Sequence, residues 1–258
     1  MLGIREQIAL KPLEREPSKD RQLPGDEIDS GLRYVEYRFE WPSSPHSIQI
    51  PDSDDSPISA SRLLAFDTET TGLAGGTGTR AFMIGAADWH EGRVRVRQLF
   101  LTAFAAETHM LREFTSWLKP DTVLLSYNGK SYDAPLLRTR CRLARLPEPF
   151  EGLQHVDLLH PVRRRYRGVW ENCRLATIER RLLEIVREDD LPGSEAPLAW
   201  LGYMRGGGSE KLNRVVAHNL QDVRTLLQLL VRLGADLDRH QALQRLIGFQ
   251  NQPRPSGR

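Results

Sequence analysis

The stretch LLAFDTETTGL, residues 63–73, turns from an apolar run to a pair of carboxylates, Asp67 and Glu69, within one short segment. A β-strand sends residues i and i+2 to the same face, so both acids project together from the end of a hydrophobic element. Side-by-side anions repel, and burial raises their pKa unless a cation neutralises them. The plainer alternative is a solvated acidic strand end before a turn. Two more apolar runs follow, AFMIGAADW (81–89) and RVRVRQLFL (93–101), set off by the glycine-rich TGLAGGTGTR and the turn HEG. They read as three consecutive antiparallel strands. The glycine-rich loop lacks GK[ST] and leads into a strand, so it reads as a tight connection and not a phosphate cradle.

Helical periodicity then appears over 105–118, with Met110, Leu111, Phe114, Trp117 and Leu118 on one stripe, before a buried strand, TVLLSYNG (122–129). Further helices are expected over 134–146, 171–183, 196–204 and 215–237. Strands first, then alternating helices and strands, make an α/β layered fold whose strand ends carry the site.

Two later motifs carry polar groups toward such a site. In SYNGKSYDAPLL (126–137), Asn128 ends a strand and Asp133 stands two residues before Pro135. Asp133 is therefore either a helix N-cap or a carboxylate delivered to the strand ends. In HNLQD (218–222), His218 and Asp222 are four apart on one helical face, beside a core stripe of Leu220, Val223, Leu226, Leu227 and Leu230. They are either a surface pair or a carboxylate with a general base beside it.

The 258 residues carry 36 Lys and Arg against 34 Asp and Glu, a formal charge of +2, which by itself argues against a histone-like nucleic-acid binder. The total hides a division. Residues 1–61, rich in Pro and Ser, hold seven basic and twelve acidic residues, so the remainder has a balance of +7. The expected organisation is an acidic, partly irregular extension over 1–61, a main domain over 62–234, and a C-terminal helix and tail over 235–258. Within the extension, LRYVEYRFEW alternates weakly enough to suggest a strand or hairpin arm. An arm of that charge can fold over a basic groove and compete with substrate. The expected groove contains RRRYRGVW (163–170), where Arg163, Arg164, Arg165 and Tyr166 suit phosphate contact and base stacking; a solvated charge run is the alternative.

Cys141 and Cys173 lack metal or redox spacing and read as reduced thiols. No apolar run is long enough to span a bilayer, and the N-terminus lacks the order of a signal peptide, so a cytoplasmic location is expected.

Taken in order, DTETTGL, NGKSYDAP and HNLQD resemble the three motifs of the DEDD superfamily of 3′–5′ exonucleases, which share the ribonuclease H-like fold. The TGLAGGTGTRAFMIG and ENCRLATIERRLL segments are similar to YprB-type ribonuclease H-like proteins, and the resemblance spans about residues 62–232. It implies a mixed central sheet, three antiparallel strands then parallel ones, flanked by helices. It also implies hydrolysis of single-stranded nucleic acid from 3′ ends with two divalent cations, Mg²⁺ or Mn²⁺. Asp67 would bridge the ions, Glu69 and Asp222 would complete one site, and Asp133 would hold the other. His218 would be the general base, while Thr68, Thr70, Leu73 and Asn128 would contact substrate, Leu73 either against the terminal base or in the core. One departure stands out: the superfamily places a Tyr four residues before the last Asp or a His five before it, and here a His stands four before. A binding module of the same fold without turnover, and a hydrolase of small phosphoesters, remain as alternatives. DNA or RNA preference and oligomeric state are open.

Overall fold

The computed structural model describes residues 20–250, apart from 42–44, 54, 55, 73–77 and 189, with the backbone alone over 236–250. Leu73 lies outside the described residues. The strands are β1 (Asp26–Asp29), β2 (Leu32–Glu40), β3 (Ser47–Ile48), β4 (Ile58–Ser59), β5 (Leu63–Thr70), β6 (Ala81–His90), β7 (Arg93–Leu101), β8 (Val123–Ser126) and β9 (Gln154–Asp157). The helices are α1 (Glu107–Ser116), α2 (Asp133–Leu143), α3 (Leu159–Tyr166), α4 (Leu175–Ile178), α5 (Ala196–Met204) and α6 (Glu210–Gln250).

Among the described residues the main sheet runs β1-β2-β7-β6-β5-β8-β9. Pairing is antiparallel from β1 through to β5, and parallel from β5 through β8 to β9. This is the mixed sheet expected, with β5 at the switch between the two modes. Short apolar strands without polar alternation, such as VLLS in β8, suit a parallel strand covered on both faces. On one face Phe66 of β5 meets Phe114 of α1, ring centroids 6.0 Å apart, and Phe150 at 5.6 Å. On the other, Leu63 and Ala65 join Val223, Leu226 and Leu230 of α6 in one buried cluster. Buried Trp200 of α5 stacks on Phe82 at 5.1 Å and donates its indole N–H to the Leu101 carbonyl at 2.7 Å.

The sheet differs from the expected organisation at its edge. β2 pairs with β7 along all of Leu32–Glu40, so the sheet crosses the boundary drawn at residue 61. The physical reason is that β7 would otherwise leave one whole row of backbone N–H and C=O groups unsatisfied. Ile48, Ile50 and Ile58, also from this stretch, are buried against α6 residues. At the other end α6 continues without a break across residue 234.

The elements β9 and α3 fall in a stretch too short and polar to show periodicity. The helix expected over 171–183 begins only at Leu175, because Asn172 Oδ1 accepts the Arg174 N–H at 2.9 Å and the Thr177 hydroxyl at 2.8 Å. It ends in a π-helical turn, Glu179–Leu183, a distortion frequent at functional sites.

Candidate active site

β5 runs from the core toward its polar end, where Asp67 and Glu69 face α6 and the register shifts between Glu69 and Thr70. Such a bulge re-aims the strand end beside a site. Asp67 sits in register with Gly85 of β6, and Gly85 with Gln98 of β7. Over this row lies Asn219 of α6. Its Nδ2 donates to Asp67 Oδ2 at 3.1 Å, and its Oδ1 accepts from Gln98 Nε2 at 2.9 Å. Gly85 is what permits this approach: a Cβ there would stand 2.0 Å from Asn219 Oδ1.

Asp133 arrives from the opposite side of the sheet. It is the first residue of α2, not the residue capping it, and its carboxylate accepts the hydroxyl of Thr68. The loop that delivers it is fixed by buried Asp157 of β9, which accepts the N–H of Asn128 at 2.7 Å and of Lys130 at 3.0 Å. Asn128 takes a left-handed conformation, φ 68°, and Gly129 leaves no space for a side chain, since a Cβ would meet Ser126 Oγ at 2.6 Å.

Asp222 and His218 complete the cluster from α6. His218 Nε2 lies 3.4 Å from Asp222 Oδ2, and its Nδ1 lies 2.6 Å from Asp190 Oδ1. The guanidinium of Arg187 ion-pairs with the other oxygen of Asp222. Arg187 is itself gripped by buried Glu179, with contacts of 2.6 and 2.7 Å. The polar environment of Asp222 is thus shared among α6, the π-helical turn and the connection that follows it.

Electrostatics bind the four acids into one unit. Burial, then the charges of Asp133, Asp222 and Glu69, hold the Asp67 carboxyl well above the usual range, and the Asn219 bond only partly opposes them. Glu69 is raised for the same reasons, by burial and then by Asp222, Asp133 and Asp190, with Arg187 opposing. Burial lifts Asp133 to about 6 against the Thr68 bond, and lifts Asp222 against His218 and Arg187. Glu69 is 7% exposed and accepts no hydrogen bond from a described residue.

Among the described residues no three acidic, His or Cys side chains stand close enough together to hold a metal ion as they are placed. The donor set nonetheless suits hard divalent cations such as Mg²⁺ or Mn²⁺: it is made of carboxylate oxygens, and it carries more negative charge than Arg187 offsets.

The remaining expected residues lie elsewhere. Thr70 donates its hydroxyl to the Gly72 carbonyl at 2.9 Å, holding the turn after β5. Arg163, Arg164, Arg165 and Tyr166 are on α3. Arg164 and Arg165 pair with Asp52 at 3.3 and 3.5 Å, and Arg165 also reaches the Leu233 carbonyl of α6. Leu233 lies eleven residues beyond Asp222, about 16 Å along the helix. The acidic extension does meet the basic stretch, through Asp52. Tyr166 stacks on Trp170, centroids 4.3 Å apart, and exposed Arg163 stands near enough to Tyr127 to oppose the rise that burial gives its pKa.

Sequence reasoning missed Asn219, Gly85, Gln98, Asp157, Glu179, Arg187 and Asp190. Asn219 was within reach, three residues before Asp222 on the same helix. REDDLPGSE (187–195) offers no periodicity by which Arg187 or Asp190 would stand out.

The family described as the RNase H superfamily matches residues 64–234. The chain belongs to the RNase H superfamily. Membership supports a nuclease-type enzyme acting on nucleic acid, and the matched span starts at β5 and ends within α6. The chain is similar to the uncharacterized protein YprB of Bacillus subtilis (strain 168), 37% identical over 177 residues, which are 67% of this chain and 42% of that protein. It therefore spans less than half the length of this relative. The RNase H-like fold is also shared with the family B DNA polymerase of the hyperthermophilic archaeon Pyrobaculum calidifontis, with TM-score 0.54 and 19% identity over 69% of this chain and 25% of the polymerase. No helix among the described residues is long and apolar enough to cross a membrane.

Proposed function

We propose that this chain is a metal-dependent nuclease, a 3′–5′ exonuclease acting on single-stranded nucleic acid in the cytoplasm, with Asp67, Glu69, Asp133 and Asp222 as ligands of two Mg²⁺ or Mn²⁺ ions. The observation that carries it is the convergence of four acids from β5, α2 and α6 at one place, where burial and then the charges of Asp133 and Asp222 raise Asp67 and Glu69 at a cost that bound cations would offset. Superfamily membership supports the substrate class.

Bound Mg²⁺ or Mn²⁺ would supply charge neutralisation at the scissile phosphate and a more acidic water. In this reading Asp67 would hold the ions together with Glu69 and Asp222 on one side and Asp133 on the other. His218 accepts the proton of the attacking water at Nε2, the nitrogen that faces Asp222. Asn128 and the residues around Thr68, Thr70 and Leu73 border the substrate, while the arginines of α3 take more distant phosphates.

The test compares the wild type and Asp67→Ala on 3′- and 5′-labelled DNA and RNA oligonucleotides, single- and double-stranded, with each metal. Wild type should release mononucleotides from 3′ ends, and Asp67→Ala should lose that activity by about 10³-fold or more. Equal activity in the two proteins would sink the reading. A second reading, binding without turnover, draws on Arg187, which already offsets part of the charge on Asp222; tight oligonucleotide binding without cleavage in either metal would favour it.

A further inference from the structure

Asp190 stands on the irregular connection between the π-helical turn and α5, with its side chain 28% exposed, so packing does not explain its place. It is nevertheless held firmly. Arg187 Nη1 approaches its Oδ2 at 3.4 Å, and Arg214 of α6 donates to its carbonyl at 3.3 Å. Arg187 in turn is clamped by Glu179, which also accepts the hydroxyl of Thr225. A segment without regular structure is thereby tied to α6 on either side of His218.

The geometry at His218 follows from that tie. A neutral imidazole carries one N–H and one lone pair, and whichever group holds one nitrogen decides what the other presents. Asp190 Oδ1 is 2.6 Å from Nδ1, the distance of a strong charge-assisted hydrogen bond, so Nδ1 carries a proton. Arg187 Nη1, 3.1 Å from the same nitrogen, cannot donate into a position already protonated, and its hydrogen is left for Asp190 Oδ2. The lone pair of the neutral ring then belongs to Nε2, which points toward Asp222 and the acid cluster. The departure noted in the sequence, a His one turn before the last Asp, thus comes with its own support from outside the helix.

We propose that Asp190 is the positioning residue for His218: it fixes the ring orientation and the Nδ1–H tautomer, so that Nε2 presents its lone pair to the acid cluster. The catalytic consequence rests on the nuclease reading above; the tautomer does not.

The 258-residue chain, free of metal and labelled with ¹⁵N in histidine, tests the first part at a pH well above the ordinary histidine range. The His218 ring signals are those lost in His218→Gln. They should report the Nδ1–H tautomer in wild type and in Asp190→Asn, whose amide oxygen can accept the same bond, and move toward Nε2–H in Asp190→Ala. An unchanged tautomer in Asp190→Ala overturns the proposal. Steady-state cleavage with Mn²⁺ tests the second part. Asp190→Ala should lower kcat about 10- to 100-fold with KM within about twofold, Asp190→Asn should recover most of the loss, and Asp190→Ala should add nothing in a His218→Ala background. An unchanged kcat, or a further loss in that background, overturns the catalytic part. A tautomer shift in a protein whose wild type cleaves nothing supports the positioning role and removes the nuclease reading instead.

Discussion

At the end of β5 four carboxylates share a largely enclosed space with Arg187, whereas along α3 three consecutive arginines stand at or near the surface, two of them paired with Asp52. Both are concentrations of one charge, but only the first is assembled against electrostatics. For two of the arginines Asp52 is the partner, with the Leu233 carbonyl also in reach of Arg165. The acids are gathered from β5, α2 and α6 and held by Thr68, Asn219 and Arg187. Like charges buried together mark a site more sharply than like charges in a row.

That difference can be broken from the acidic side first. Arg187→Met should cost about 3–5 kcal/mol in urea unfolding, because it leaves Glu179, 1% exposed, buried without its counter-ion. A loss of under about 1 kcal/mol would mean that the Glu179 charge finds water or a proton instead.

Next comes pH. The folded-state pKa of Asp67, Glu69 and Asp133 lies above the ordinary carboxylate value, so the fold favours their protonated forms. Their stabilisation is complete below the ordinary value of 3.8 for Asp, and it is lost as pH rises through about 6 for Asp133 and as Asp67 and Glu69 ionise. Thermal melts of metal-free protein should therefore show a falling Tm over this rise, and Mn²⁺ should restore it at the upper end. A Tm that climbs with pH in the absence of metal would contradict the repulsion.

A smaller effect is expected at Gly85→Ala, where a methyl group would displace Asn219 from Asp67. It should cost about 1–3 kcal/mol and reduce cleavage, as measured by unfolding and turnover of the same sample. The smallest belongs to the surface arginines. Arg164→Ala should change stability by less than about 1 kcal/mol. It should weaken oligonucleotide binding by less than about tenfold with kcat unchanged, and lower the salt dependence of binding by about one counterion at most.

Much of this contrast was legible in the sequence. The apolar run before Asp67, and the order of DTETTGL, NGKSYDAP and HNLQD, lead to the mixed sheet that the structure has. The same motifs lead to Asp67, Glu69, Asp133, Asp222 and His218, which the structure brings together. Arg187, Glu179 and Asp190 were not legible, because their positions depend on a π-helical turn and an irregular connection that no periodicity announces. RRRYRGVW stands out in the sequence as a charge run, yet Arg165 reaches α6 about three turns beyond Asp222; a basic composition gives no direction in space.

The pairing of β2 with β7 has a bearing on how this domain can be cut. A protein reduced to the superfamily span, 64–234, would keep every acid of the cluster but strip nine residues of partner strand from RVRVRQLFL. The bared β7 would then be a long edge with one row of backbone donors and acceptors unsatisfied, a template on which a second molecule can add its own strand. Such a fragment would tend to self-associate through its sheet, and the hairpin ahead of residue 61 is in that sense the domain's own protection against polymerisation.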